Sequence, residues 1–243
     1  MSTLALQELI LPSVANTTDS AVVASQDRWT AITHEQPMTG VLACKQRSWD
    51  EAVVRRTKQD LSLTFTTDIQ HARFIGAQSD HSGDWLNAIP ISNCGLHLED
   101  EAMRIAVGIR LGTQICHIHT CPCGALVDAL GLHCFVCRRS TGKQTRHSLL
   151  NDVIWRSFSR AKIQSSKEPI GTFRDNKRPD GVTLIPWQNG KCVAWDVTVA
   201  DTFATSYIQQ TATSAGAAAE RAALNKHAKY DHFKNSYIFI PLS

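Results

Sequence analysis

The 243-residue chain has no run approaching 18 consecutive apolar residues, which excludes a membrane-spanning helix at the level of sequence. Its first basic residue is Arg28, so the charged start of a secretory signal or an Arg-rich transit peptide is missing. An intracellular setting follows as the expectation, with cysteines reduced. The first 112 residues lack a nucleotide-binding glycine loop, a catalytic Ser or Cys motif and any internal repeat. At 43% hydrophobic and 19% charged residues, the composition excludes disorder, collagen and coiled coil.

What is present is unevenly distributed. The formal charge of +3 conceals an acidic first part: residues 1–100 hold 7 Lys+Arg against 12 Asp+Glu. Residues 138–178 hold 11 basic residues and 3 acidic ones, a block suited to a polyanion. Five of the eight cysteines, Cys116, Cys121, Cys123, Cys134 and Cys137, fall within 22 positions, together with His117, His119 and His133. The chain therefore reads as a helical region over 1–112, a Cys/His knot over 113–140 and a basic domain over 141–243.

The helical region predicts helices over 48–63, opened by a capping box at Ser48 and Glu51, over 66–78 and over 98–112. Residues 15–40 show no period and read as a loop or linker. A packing or docking role is expected for this region.

Zinc takes four N or S ligands in a tetrahedron. Cys121, Cys123, His133 and Cys137 supply three sulfurs and one nitrogen, and the last two are one helical turn apart. Gly124 and Gly131 permit the tight turns needed to join the pairs. Cys116, His119 and Cys134 could substitute for any of the four. Such a site is structural, because four protein ligands leave no open position. Cys44, Cys94 and Cys192 are assigned to packing.

In the basic domain, 147–161 predicts an amphipathic helix with Leu150, Val153, Ile154, Phe158 and Ala161 on its apolar stripe and with His147 and Asn151 on other faces. Strands are predicted over 163–172, carrying Glu168, over 182–186 and over 191–199, with turns at 174–177 and 187–190. In the third strand Val193, Trp195, Val197 and Val199 share one face and Cys192, Ala194, Asp196 and Thr198 the other. Asp196 inside an apolar strand is costly to bury without a partner. An alanine-rich helix over 214–230 and a strand over 237–241 complete an α-β-β-β-α-β order in an α+β chain. Trp155, Trp187 and Trp195 are read as core residues more than base-stacking platforms, Trp187 being the least settled.

That order, with Asp180 heading the second strand and Asp196 inside the third, resembles the restriction-endonuclease-like fold of the PD-(D/E)xK nucleases. A narrower resemblance rests on Cys121-Pro-Cys123-Gly, His133 and Cys137, then Arg146-His147, Asn151-Asp152 and Lys167-Glu168-Pro169. It continues through Lys177-Arg178-Pro179-Asp180-Gly181, Thr183-Leu-Ile-Pro-Trp187, Trp195-Asp196-Val-Thr198, Asp201-Thr202 and Ser206-Tyr207. These motifs are similar to the zinc knuckle and endonuclease at the end of open reading frames of certain non-LTR retrotransposons. The likeness covers roughly 80–243 and includes Ser82-Gly-Asp-Trp-Leu86, Ile89-Pro-Ile-Ser92 and Cys94-Gly-Leu96.

The resemblance implies a Mg²⁺-dependent endonuclease that nicks DNA, with Asp180 and Asp196 as metal ligands and Glu168 as a third carboxylate. The usual lysine position, two after Asp196, holds Thr198. The resemblance instead places the lysine on the following helix, at Lys226 or Lys229. Arg138, Arg139, Lys143, Arg146 and Arg178 are the expected phosphate contacts to DNA or RNA. His147 is a candidate for contacting phosphate or supporting the site, or else a surface residue. A nuclear location is expected from the DNA role alone. No paired-Asp signature of a reverse transcriptase occurs, so a detached C-terminal piece of such an element is expected. The alternative is an inactive nucleic-acid-binding remnant.

Overall fold

A computed structural model describes residues 20–43, 45–94, 96–170 and 178–243. Cys44 and the turn at 174–177 lie outside the described residues, as does the side chain of Cys94. The chain is mixed α+β and divides into two compact units, Met1–Thr66 and Thr67–Ser243.

The first unit contains helices α1 (Ser20–Thr33), α2 (Gly40–Ala43) and α3 (Gln46–Thr64). The expected loop over 15–40 is thus helix over 20–33, and its first five residues lie outside the described residues. Its buried face is Val22, Ser25, Trp29 and Thr33, a helical spacing disguised by two hydroxyls. Those hydroxyls bond back to carbonyls four residues earlier, Ser25 to Ala21 and Thr33 to Trp29. A buried polar group satisfied in this way escapes a hydropathy pattern. Trp29 and Trp49 meet edge to face at 4.9 Å, and the Trp29 indole N–H donates to the Trp49 carbonyl at 3.2 Å. Helix α3 starts at Gln46, ahead of the predicted Ser48 cap.

In the second unit, α4 (Asp68–Gln78) carries a true capping box between Thr67 and Gln70. Helix α5 (Asp100–Leu111) ends on Gly112 in the left-handed region. Arg73 of α4 donates to the Ile109 carbonyl at 2.9 Å and lies over the Phe203 ring, so 67–112 packs with the C-terminal part. A two-stranded ribbon, β1 (His119–Thr120) and β2 (Leu126–Val127), leads to α6 (His133–Val136) and α7 (Gly142–Arg160).

A four-stranded sheet follows, β3 (Ser165–Lys167), β4 (Gly181–Thr183), β5 (Cys192–Val197) and β6 (Tyr237–Leu242), in spatial order 3-4-5-6. The first two pairings are antiparallel and the last is parallel. Between β5 and β6 lie α8 (Ile208–Thr211), α9 (Ala217–Lys229) and a 3₁₀ turn over Asp231–Asn235. Strand β3 is shorter than expected and leaves Glu168 just beyond its end, with φ +48°. Strand β4 stops at Thr183, short of 186. Asn189 and Gly190 both have positive φ, as a two-residue hairpin turn requires.

The two-residue alternation in β5 separates two cores. Val193, Trp195 and Val197 pack against Ile154 and Phe158 of α7. Ala194, with Val182, packs against Tyr230 and Phe233 on the other side. Helices thus cover both faces of the sheet.

The face that α7 turns to the sheet differs from the predicted stripe. Leu150 and Val153 are exposed, at 47% and 62%, whereas Asn151 is buried. His147, Asn151, Ile154 and Phe158, at i, i+4, i+7 and i+11, make the true inner face, polar at its start and apolar at its end. Trp195 is core, stacked on Phe158 at 5.0 Å, while Trp155 and Trp187 remain 37% and 56% exposed.

Gly181 opposes Trp195 across the β4–β5 ladder. A Cβ at Gly181 would come within 1.9 Å of the Trp195 ring. That ring is held by the stack on Phe158 and by its indole N–H to Asn151. Gly181→Ala is therefore expected to destabilise the domain by about 3 kcal/mol, near the top of the range for overpacking. Equilibrium urea unfolding measures this, and an unchanged midpoint contradicts it.

Candidate metal centres

The first centre is built from the ribbon and α6. The Cys121 carbonyl accepts from the Gly124 amide at 2.8 Å, and the Ala125 carbonyl accepts from Cys121. This turn, with Gly124 at φ +90°, places the thiols of Cys121 and Cys123 side by side. One turn of helix separates His133 from Cys137, whose amide donates to the His133 carbonyl at 2.9 Å.

The ligand atoms of Cys121, Cys123, His133 and Cys137 all lie within 4.8 Å of one another. The Cys121 and Cys137 sulfurs are 3.6 Å apart, and Cys123 Sγ is 3.2 Å from His133 Nε2. This Cys₃His cluster could bind a metal ion such as zinc. Hydrogen bonding to the Ala125 backbone and to the Cys121 thiol holds the Cys123 thiol below its usual pKa, while the neighbouring Cys121 thiol is shifted up, the backbone bond at Cys123 being outweighed by burial and by the thiols of Cys123 and Cys137.

The three open alternatives are not part of the converging group. Cys116 donates its thiol to the Asp128 carbonyl, His119 meets the His117 carbonyl, and Cys134 is exposed.

The second centre lies where β4 and β5 begin and end. In the antiparallel register Gly181 pairs with Trp195, so Asp180, just before Gly181, and Asp196, just after Trp195, lie at the same end of the strand pair. Asp196 is 3% exposed. Its Oδ1 is ion-paired with Lys226 of α9, and its Oδ2 accepts from the Tyr230 hydroxyl at 2.6 Å. The partner demanded by an acid in an apolar strand is therefore Lys226, with Tyr230 as a second.

Asp180 Oδ2 accepts from the Val197 amide at 2.6 Å and meets His147 Nε2 at 3.0 Å. Burial pushes the Asp180 carboxyl above its usual pKa; the Val197 amide opposes the shift and the nearby Asp196 charge adds to it. Tyr230 is likewise shifted up, by burial first and then by its bond to Asp196.

Of the remaining expected site residues, Lys229 donates to the Tyr230 hydroxyl at 3.0 Å and so touches neither aspartate directly. The Glu168 amide bonds the Asp180 carbonyl, but its half-exposed carboxylate is turned to Arg178 at 3.4 Å. Thr198 has a buried hydroxyl without a hydrogen-bond partner among the described residues. Arg139 is tied to the Pro122 carbonyl and Arg146 lies over the Phe135 ring, 5.1 Å from its centre. Arg138 and Lys143 are exposed.

His147, expected as a candidate for supporting the site, meets Asp180, while Asn151 and Tyr230 gain roles that the sequence did not announce. Asn151 donates to the Asp180 carbonyl at 3.2 Å and accepts from the Trp195 indole at 2.9 Å. The available signal was spacing: 147 and 151 continue the inner stripe of α7, and Tyr230 follows Lys226 by four residues.

Removing Lys226 leaves a buried charge without its cation. Lys226→Met is expected to cost about 3 kcal/mol of stability, most of it recovered when Asp196→Asn is added. Thermal unfolding of the single and double variants checks the coupling; equal losses in both would contradict it.

No family model, curated protein or solved structure matches the chain. Among the described residues no helix is long and apolar enough to cross a membrane.

Proposed function

We propose that 141–243 is a restriction-endonuclease-like domain that nicks DNA with Mg²⁺, derived from a non-LTR retrotransposon, and that 113–140 is its structural zinc knuckle. The reading rests above all on one observation: Asp180 directly precedes Gly181 and Asp196 directly follows Trp195, the residues paired at that end of β4 and β5, close enough for the Asp196 charge to act on Asp180, and Lys226 is paired with the second carboxylate. The helix–three strands–helix–strand order and the mixed sheet support the same fold class.

The two aspartates fit a divalent cation. Their mutual repulsion is one that a cation would relieve. Among the described residues Asp180 Oδ1 has no hydrogen bond, so an oxygen ligand is available. Asp180 and Asp196 would hold the ion, which when bound polarises a phosphate and activates a water. Tyr230 fixes the Asp196 carboxylate, and Lys226 supplies a positive charge for phosphate at the same place. Arg138 and Lys143 extend a basic surface beyond the knuckle for the DNA backbone, and Arg178 borders Glu168 near the aspartates. A nuclear location follows from this role.

The test is conversion of supercoiled plasmid to open circles in Mg²⁺, with binding that weakens steeply as salt rises. Loss of nicking in Asp196→Asn supports the reading. DNA binding without cleavage in any divalent cation would favour the second reading, an inactive nucleic-acid-binding domain. That reading draws on the unpartnered Thr198 hydroxyl where a lysine is usual in such nucleases.

A further inference from the structure

The carboxylate of Asp180 is gripped from two directions. The Val197 amide reaches Oδ2 from the end of β5, and His147 Nε2 reaches the same oxygen from the first turns of α7. A carboxylate oxygen accepts, so Nε2 bears the hydrogen. One turn further along α7, Asn151 donates to the backbone carbonyl of the same aspartate. Asn151 is itself fixed by the buried Trp195 indole. Side chain and main chain of Asp180 are thus held by one helix face. Both partners of the His147 contact are largely screened from water, at 25% and 18% side-chain exposure.

We propose that His147 is a positioning residue for the metal centre: with the Val197 amide it clamps Asp180 Oδ2 and leaves Oδ1 as the oxygen offered to a divalent cation. The proposal rests on the reading of Asp180 and Asp196 as a metal site. A free aspartate side chain samples several rotamers, and fixing it removes that entropy from the binding step. Groups that hold a metal ligand from behind change affinity by roughly 10–100-fold when removed.

The test uses the full-length, zinc-loaded protein and Mn²⁺, whose free concentration is read by electron paramagnetic resonance. The wild type is expected to bind Mn²⁺ at a site lost in Asp180→Asn. His147→Leu is expected to weaken that site by about tenfold or more. His147→Gln, whose amide N–H₂ reaches as far as Nε2, is expected to restore it to within about threefold of wild type. If His147→Leu does not fold, His147→Asn takes its place, its amide being too short to reach. Thermal midpoints of the Gln and Leu or Asn forms should agree, separating positioning from folding.

Equal Mn²⁺ affinity in wild type and His147→Leu overturns the proposal, as does a Gln variant no better than Leu. Absence of any Asp180-dependent Mn²⁺ site overturns it too. Plasmid nicking is measured alongside. If Mn²⁺ binding follows the expected order but the wild type does not nick, the nuclease reading fails and the positioning role stands. If the wild type nicks and His147→Leu binds and nicks equally, the positioning role fails alone.

Discussion

Cys137→Ser, or removal of the knuckle's metal with a strong chelator, is expected to unfold residues 113–140 while the sheet stays folded. The segment has little else to hold it: a ribbon of two two-residue strands and a single helical turn. Its buried apolar residues are few, Val127 and Cys137 among them. Binding of zinc to sites of this composition supplies about 10–16 kcal/mol of apparent free energy, and in so small a unit this is folding free energy. Limited proteolysis should therefore cut within 113–140 only after chelation, and leave a protected fragment containing β4 to β6.

The consequence reaches the second centre. Ser140 donates its amide to the Cys137 carbonyl at 3.2 Å, two residues before α7 begins. Arg139 bonds the turn between the first two ligands, and Arg146 lies over Phe135 of the knuckle helix. His147 is the next residue. Loss of the knuckle is thus expected to fray the start of α7 and reduce nicking by about tenfold or more, through weaker metal affinity at Asp180. Nicking unaffected by chelation of the knuckle's metal, measured with Mg²⁺ restored to a concentration that half-saturates the untreated protein, would show the two centres to be independent.

The second large effect is at Asp180. Asp180→Asn is expected to abolish nicking, by about a thousandfold or more, equivalent to roughly 4 kcal/mol of transition-state stabilisation. It is also expected to raise, not lower, the stability of the metal-free protein, by about 1 kcal/mol. The sign follows from the raised pKa. Burial and the Asp196 charge disfavour ionised Asp180 in the folded state. A carboxyl whose pKa is higher folded than unfolded destabilises the fold as pH rises through that interval, and the cost is complete above the folded pKa. Asparagine keeps an acceptor for the Val197 amide and removes the charge. Thermal unfolding at neutral pH with chelated divalent cations should place Asp180→Asn above wild type. At a pH below the unfolded carboxyl pKa the two should converge. A variant both inactive and less stable at neutral pH would indicate that Asp180 serves the fold.

Much of this was legible in the sequence because it depended on local chemistry. Cys121, Cys123, His133 and Cys137 follow from ligand type and spacing, and turn geometry at Gly124 needs nothing from the rest of the chain. The alternation in β5 put Asp196 on a face opposite Trp195, and burial of an acid there required a cation, which Lys226 provides. What escaped depended on tertiary partners. Helix α7 reads as amphipathic by its leucines, yet its inner face begins with His147 and Asn151, because the aspartate and indole they meet come from other strands. Helix α1 hid its core behind Ser25 and Thr33, whose hydroxyls are satisfied by their own backbone. Glu168 fell outside its strand, where its carboxylate meets Arg178.

Asp180, Asp196 and Lys226 are proposed to make a site for cleaving DNA. Its most direct measurement is single-turnover nicking of supercoiled plasmid in Mg²⁺, comparing wild type with Asp180→Asn at equal DNA occupancy. Open circles are expected from the wild type and none above background from the variant, with DNA binding unchanged. Equal nicking by both proteins, or none by either in Mg²⁺ or Mn²⁺, would contradict it.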